Sequence, residues 1–472
     1  MPSPAIHPSK ALHEAGFLRD AGGLLRSQAE FIEVPGSAEA LASLLAKASA
    51  AGRSVVVRGG GKTTEGESLA RDDETLISTR GLRHFTGILN QEGLDYCRVG
   101  AGMTFDELER HLRPKGLELA VRPLSLSATL GGTVGIGGID ITSWRDGTMA
   151  DQVLSMQVAL PEGRLVECSP SEQSDLFEDV LYGYGQFGVV TELTLRLRPS
   201  MPVCLERRYF CSPGEAAEAL VRAGREGLAD QMAVLSFNGV VNALMLGFED
   251  KERHRRFLES RRQWGFAEPV LWGRVALKTL NQPSLISVLP RLARLRSQLV
   301  GGLRDPLYSG QESLDFRAAA MSRLIWKVWG SRPLVIPDLS LPLDKMRQGV
   351  EKGLGLCQER FKLFSLYMVL VKRGAWQRRH VLGPFPRTED PVVGGVEFEP
   401  LLEGDSWTPE GLQSFKEAIY NLGLGIGARA YRFGGGMGSY ARRFCGEEEW
   451  QQFQERKKQW DPQGILNPRV FR

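Results

Sequence analysis

Two glycine-rich stretches carry the residue types best suited to holding an anion. The first, VVVRGGGKTTEG (Val55–Gly66), runs from β-branched residues into Gly59, Gly60 and Gly61, then Lys62 and Thr63. Glycines lack Cβ atoms, so several backbone N–H groups can close on a phosphate and φ can turn positive. The stretch is not a GxxxxGK[ST] loop, because Val56 stands where that pattern needs its first glycine. Nor is it a GxGxxG turn opening a helix with an acid about 20 residues on. Alone, it reads equally well as a structural turn. The second stretch, SATLGGTVGIGGIDITSWRDG (Ser127–Gly147), puts five glycines into the eight residues Gly131–Gly138, with hydroxyls at Thr129 and Thr133. Two backbone-donor loops in one domain can grip a long diphosphate cofactor from both sides. The alternative is a tightly packed loop between strands.

The surrounding elements alternate. Ser37 is placed to cap a helix through Ala51, with Leu41, Leu44, Leu45 and Ala48 on one side. Ser54–Arg58 reads as a short buried strand entering the first glycine loop. Thr104 and Glu107 form a T-x-x-E capping box before a helix with Phe105, Leu108 and Leu112 buried, closed by Pro114–Gly116. From Val153, VLSMQVAL-PEG-RLVEC reads as a hairpin and SDLFEDVLYG as a short helix. Leu193, Leu195 and Leu197 then alternate with polar residues, a strand with one wet face that Pro199 ends. That proline marks a boundary. Residues 200–430 mix basic helical stretches with strand-like runs such as FSLYMVLVKRG and VVGGVEFEPLL. The end returns to a glycine cluster, RFGGGMGSYARRF, and an acid-first, base-last helix, GEEEWQQFQERKKQW.

Composition narrows the function classes. The 472 residues are 42% apolar and 24% charged, ample for one large or two medium domains. A net charge of +3 gives no reason to expect nucleic acid. The six cysteines form no CxxC pairs or Cys/His clusters, so neither a disulfide framework nor a metal site is expected. No secretory signal and no run of about 18 apolar residues appear, which predicts a cytoplasmic protein without a membrane span.

Three segments together resemble the flavoenzymes of the vanillyl-alcohol oxidase class with a PCMH-type FAD domain, the cytokinin dehydrogenases being the nearest branch. RGGGKTTEGES is similar to that family's pyrophosphate loop, TLGGTVGIGGIDITSWRDG to its second glycine segment, and DLFEDVLYGYGQFGVVTELTLRLRP to its D-L-F…G-Q-F-G-I-I-T run. The terminal DPQGILNP is similar to its D-P-x-x-I-L-x-P close. The resemblance implies an α+β, two-domain fold. Residues 1–199 plus 431–472 would form the FAD-binding domain, built of two α/β subdomains. Residues 200–430 would form a cap of antiparallel sheet flanked by helices. It also implies that Gly59, Gly60, Gly61 and Thr63 hold the pyrophosphate, with Lys62 in the same loop. Thr129, Gly131, Gly132, Thr133, Gly135 and Ile139 would line the second side of FAD. Val190 would supply a backbone contact, and Tyr431 and Asn467 would approach the flavin ring.

Two departures from the family pattern refine this. Many members carry, where Lys62 stands, a histidine bonded covalently to the flavin; Lys62 predicts noncovalent FAD. The cytokinin dehydrogenases carry an aspartate in W-x-D-Y where Leu124 stands here, which argues against cytokinin oxidation. The H-W-G-K of the sugar-lactone oxidases is also absent. The expected reaction is removal of a hydride from a CH–OH or CH–NH carbon of a small organic substrate, with oxygen or another electron acceptor completing the cycle. A base must take the heteroatom proton. Tyr367, Glu397, Glu399 and Tyr431 are the candidates, and Glu397 and Glu399 share one face of a strand. The alternatives are a cyclase or scaffold with redox-silent FAD, or a binding protein with a degenerate FAD site. Arg255, Arg256, Arg261, Arg262, Arg291, Arg294 and Arg296 form basic helix faces, read either as solvated surface or as a dock for an anionic or carrier-tethered partner.

Overall fold

In the computed structural model, residues 16–250, 252, 334–374, 380, 382–400, 407–433 and 438–471 are described. The basic stretches around Arg255 and Arg291 and residues 434–437 lie outside the described residues. The local readings hold where they can be compared. Ser37 Oγ accepts from Ala40 N at 3.2 Å and starts the helix Ala38–Ala50. The Thr104–Glu107 capping box forms at the head of Phe105–Leu112, and Phe105, Leu108 and Leu112 are fully buried.

The strands make three main sheets. β1 (Phe31–Glu33), β2 (Val55–Arg58) and β3 (Thr75–Ser78) pair in parallel, in the order β1-β3-β2. β4 (Phe85–Gln91), β5 (Leu94–Gly100), β7 (Val153–Ala159), β8 (Leu165–Cys168) and β9 (Val189–Arg196) form an antiparallel sheet in the order β4-β5-β9-β7-β8, with β7–β8 the expected hairpin. β6 (Leu117–Glu118) and β10 (Arg198–Pro199) make a short ladder beside it. The third is antiparallel: β11 (Val203–Phe210), β12 (Gln231–Phe237), β13 (Val241–Glu249), β14 (Asp338–Leu341), β15 (Phe364–Lys372), β16 (Val392–Pro400) and β17 (Arg429–Ala430), in the order β11-β13-β12-β15-β16-β14-β17. The mixed helix and sheet content is α+β.

The third sheet has two unlike faces, because successive side chains on a strand point to opposite sides. One face carries helices. A Cβ on Gly353 of the helix Met346–Arg360 would lie 2.1 Å from the Phe398 ring, and one on Gly394 only 1.9 Å from Met346 Sδ. Glycine, lacking a Cβ, lets the backbone approach these side chains closely. The opposite face carries Tyr367, Val369, Gly395, Glu397 and Glu399. It looks towards the second glycine segment, where Ile139 Cδ1 would be 3.7 Å from a Cβ on Gly395. Polar bonds pin that approach. Trp144 Nε1 donates to Asp230 O at 2.9 Å, and Arg145 pairs with Asp230 at 2.8 Å and Glu249 at 3.3 Å.

The chain's end closes on its beginning. Leu466 bridges in parallel to Val55, and Asn467 N donates to Val55 O at 2.8 Å. Asn467 sits at φ +44°, a left-handed conformation that asparagine tolerates better than most residues. Its Oδ1 accepts from Val57 N at 2.8 Å and its Nδ2 donates to Gly185 O at 2.9 Å and Tyr184 O at 3.3 Å. No described helix is long and apolar enough to cross a membrane. We expect Asn467→Ala to lower apoprotein stability by about 3 kcal/mol, because buried partners on β2 and the Tyr184–Gly185 turn lose their bonds. Thermal melting that matches wild type would show that this buckle is not needed.

Candidate active site

The two glycine stretches touch. A Cβ on Gly59 would lie 2.3 Å from Thr129 Oγ1, and one on Gly60 would lie 2.7 Å from Ser127 O. A Cβ on Gly132 would meet the same Thr129 hydroxyl at 2.9 Å. Gly61 turns at φ +65°. Behind it the buried Arg58 guanidinium donates to Gly16 O at 2.9 Å, Arg19 O at 2.8 Å and Ser68 O at 3.3 Å. Thr129 is almost fully buried, yet its hydroxyl has no hydrogen-bond partner among the described residues. A buried hydroxyl without a partner costs free energy unless a ligand supplies one. A glycine cradle around an orphaned hydroxyl fits the diphosphate of a dinucleotide cofactor.

A polar cluster occupies the sheet face turned towards that segment. The register sets Asp338, Glu397 and Tyr367 side by side on β14, β16 and β15, with Ser365 opposite Glu399 one pleat further on. Arg432, just beyond β17, grips Asp338 twice, from N to Oδ1 at 2.9 Å and from Nε to Oδ2 at 2.6 Å. It also reaches Glu397 Oε1 at 3.8 Å. Glu397 and Glu399 hydrogen-bond each other, and Ser365 Oγ donates to Glu399. Burial pushes the Glu397 carboxyl up to about 8, with Glu399 and Asp338 adding to the rise against Arg432. Burial also raises Glu399, its bond from Ser365 opposing. At neutral pH Glu397 is therefore largely protonated and hydrogen-bonded to Glu399. Both side chains are partly exposed while Val396, Phe398 and Pro400 between and beside them are buried, so this face opens onto accessible space.

The predicted residues fall into three sets. Gly59, Gly60, Gly61, Thr129, Gly131 and Gly132 come together, Gly131 packing on Ala101. Lys62 is half-buried beside them, and burial, then the nearby Arg58 charge, lowers its ammonium below the ordinary lysine range. Tyr367, Glu397, Tyr431 and Ile139 gather at the sheet face. Burial holds both phenols above the ordinary tyrosine value. The Tyr367 hydroxyl is buried without a partner among the described residues, whereas Gly138 N–H reaches the Tyr431 phenol. The remaining residues are bonded within the protein. Thr63 Oγ1 is held by Asp20 at 3.0 Å and Ser68 at 2.7 Å. Thr133 Oγ1 donates to Thr129 O at 2.9 Å, and Gly135 O accepts from Tyr184 N at 2.9 Å. Val190 is buried in β9 opposite Val158. Asn467 is the buckle described above. Leu124, where the related aspartate would stand, is 40% exposed.

Sequence reasoning missed Asp338, Arg432, Asp20 and the buried Glu65–Lys416 ion pair at 2.5 Å. A lone aspartate in the apolar run LVIPDLSL was a usable signal for Asp338. The other three depend on register and long-range packing. Among the described residues no group of three or more His, Cys, Asp or Glu side chains is placed to hold a metal ion.

The comparisons with known proteins take in both glycine stretches. Residues 29–169 match the FAD binding domain family. Cytokinin dehydrogenase 9 of Oryza sativa subsp. japonica is 24% identical over 440 residues, 88% of this chain and 80% of that protein. Cytokinin dehydrogenase 3 of Arabidopsis thaliana is 33% identical over 147 residues, 30% of this chain and 27% of that protein. An FAD-dependent monooxygenase of Arthrobotrys oligospora is 30% identical over 38% of this chain and 34% of its own length. The chain thus carries an FAD-binding domain of the PCMH type, with cytokinin dehydrogenases among its homologues. It is an FAD-dependent oxidoreductase.

Two outcomes follow from the cluster chemistry. Thr129→Val deletes an orphaned hydroxyl, so the apoprotein should melt no lower than wild type while the Kd for FAD rises about tenfold; an unchanged Kd would remove Thr129 from the site. For Glu397, the folded carboxyl holds its proton up to about pH 8, whereas an unfolded one releases it near pH 4.3, so folding loses stability as pH rises between these values. Glu397→Gln should flatten part of that fall in apoprotein Tm; parallel wild-type and variant curves would contradict the assignment.

Proposed function

We propose that this enzyme removes a hydride from a CH–OH or CH–NH carbon of a small organic substrate held between the Gly138–Ile139 segment and the polar face of β14, β15 and β16. The observation that carries this reading is the carboxyl pair Glu397–Glu399, set among the buried Val396, Phe398 and Pro400 and on the face turned to the glycine segment. Gly59–Gly61 and Thr129 would hold the cofactor's diphosphate. When bound, FAD supplies the two-electron acceptor for the hydride.

The chain's own residues handle the proton. Glu397 takes it from the substrate heteroatom in its ionised form, which gains population as pH rises towards and past about 8. A base whose pKa is near the working pH combines availability with driving force, and about 8 meets that condition. Arg432, neutralised by Asp338, stabilises the Glu397 carboxylate from 3.8 Å. Glu399 shares the proton, which spreads the charge. Tyr367 and Tyr431, raised by burial, stay protonated and act as donors that orient the heteroatom; neither is primed as a base.

Two finer assignments support each other. Residues 1–199 with 431–472 serve as the FAD-binding domain and 200–430 as the cap. In favour, every described strand from β11 to β17 lies in the one seven-stranded sheet, whereas Leu466 bridges back to β2. FAD is held noncovalently, since Lys62 occupies the loop position where a histidine would be needed.

Anaerobic mixing of the flavin-loaded protein with panels of small alcohols and amines tests the reaction. We expect at least one panel member to bleach the flavin absorbance, and Glu397→Gln to slow bleaching about 100-fold with flavin content unchanged. A panel that leaves the flavin oxidised, or equal rates in the variant, would overturn this reading. On acid precipitation the flavin should stay in the supernatant; yellow pellets would refute the noncovalent assignment.

A further inference from the structure

The loop Gly59–Gly66 is bonded to a segment outside itself. Its outer side is covered by residues 16–28, which precede the matched FAD-binding segment. Asp20, 8% exposed, is the centre of that contact. Its Oδ2 accepts from Gly66 N at 2.7 Å and from Thr63 Oγ1 at 3.0 Å, and its Oδ1 accepts from Gly23 N at 3.2 Å. One carboxylate thus ties both the middle and the far end of the loop to the covering segment. Gly22 N donates to Thr63 O at 3.2 Å, and a Cβ on Gly22 would sit 1.7 Å from Thr64 O, so the two backbones are in direct contact. Arg58, at the loop's entry, donates to the carbonyls of Gly16 and Arg19.

The covering segment is also anchored on the other side. Leu334 N donates to Gly22 O at 2.8 Å, and Leu24 packs with Val335, Phe361, Trp407 and Leu412 beneath the seven-stranded sheet's flanking helix Pro409–Gly425. From that same helix Lys416 reaches across to Glu65 in the loop. Both ends of the loop that would grip a diphosphate, Arg58 before the glycines and Thr63–Gly66 after them, are therefore tied from outside, by a strap that is itself anchored at Leu334 and the helix Pro409–Gly425.

We propose that residues 16–28 complete the cofactor site, with Asp20 as the positioning residue that sets the Gly59–Gly66 loop for the FAD diphosphate. This rests on the reading of that loop as the diphosphate grip. Removing Asp20's oxygens frees Gly66 N–H and Thr63 Oγ1 from the strap, so the loop must be ordered by the ligand itself. That ordering cost appears as lost affinity rather than as altered chemistry.

The test titrates wild-type, Asp20→Ala, Asp20→Asn and Gly22→Ala apoproteins with FAD, following quenching of flavin fluorescence, with ADP as competitor. As a control, Leu220→Ala removes a buried side chain from the helix Pro213–Arg225, which packs on β12, β13 and β15. We expect the Kd for FAD to rise about tenfold or more in Asp20→Ala and Gly22→Ala, and about threefold in Asp20→Asn, which keeps one acceptor oxygen. ADP should weaken in parallel, and the saturated variants should show the wild-type flavin spectrum. Leu220→Ala should lose Tm but keep its Kd within about twofold of wild type. Wild-type Kd in the Asp20 and Gly22 variants, with ADP still competing, overturns this proposal alone. An equal rise in Leu220→Ala also overturns it, since general destabilisation would then account for the effect. Failure of ADP to compete in wild type removes the loop's role as diphosphate grip and this proposal with it. If Asp20→Ala does not fold, Asp20→Asn and Gly22→Ala decide.

Discussion

Close backbone contact between Gly59–Gly60 and Ser127–Gly132 is the constraint on which the site depends. Placed 2.3 Å from the Thr129 hydroxyl and 2.7 Å from Ser127 O, added Cβ atoms could not be absorbed by rotamer changes, because one obstacle is main chain. Any residue but glycine would push the two segments apart. The separation would pass along Ser127–Gly147, whose far end carries Ile139 against Gly395 and Arg145 against Asp230 and Glu249. The same contact that shapes the proposed anion cradle at one end thus fixes how the sheet face approaches at the other.

That sheet face holds more charge than an interior ordinarily tolerates. Burying a carboxylate is costly unless a counter-charge or a shared proton offsets it. Both devices operate here. Arg432 neutralises Asp338 through two hydrogen bonds, and Glu397 with Glu399 keeps a proton that isolated glutamates would lose at neutral pH. The arrangement leaves one ionisable oxygen pair whose state changes near the working pH. Structural salt bridges perturb carboxylates too, but a raised pair on an accessible face beside an orphaned Tyr367 hydroxyl is the pattern expected of a reacting site.

Much of this is legible in the sequence, for identifiable reasons. Glycine runs reveal backbone approach directly, and a period of two is enough to put Glu397 and Glu399 on one face of VVGGVEFEP. Thr104 and Glu107 announce their capping box by spacing alone. What stays hidden are pairings set by register between distant segments. Asp338 and Arg432 are 94 residues apart, and Asp20 and Gly66 are 46 apart with no periodic pattern around Asp20. Folding also changes the part the tyrosines can play. Type and position make Tyr367 and Tyr431 candidate bases, whereas burial with neighbouring carboxylates keeps them protonated.

The glycine cradle and the carboxyl-bearing sheet face should serve one cofactor, and a crystal structure of the FAD-loaded protein would show whether they do. We expect electron density for the diphosphate against Gly59–Gly61 and Thr129, and for the ring system in the space bounded by Gly138, Tyr431 and Glu397. Diphosphate density away from the cradle, or a ring system that leaves the Glu397–Glu399 face untouched, would contradict it.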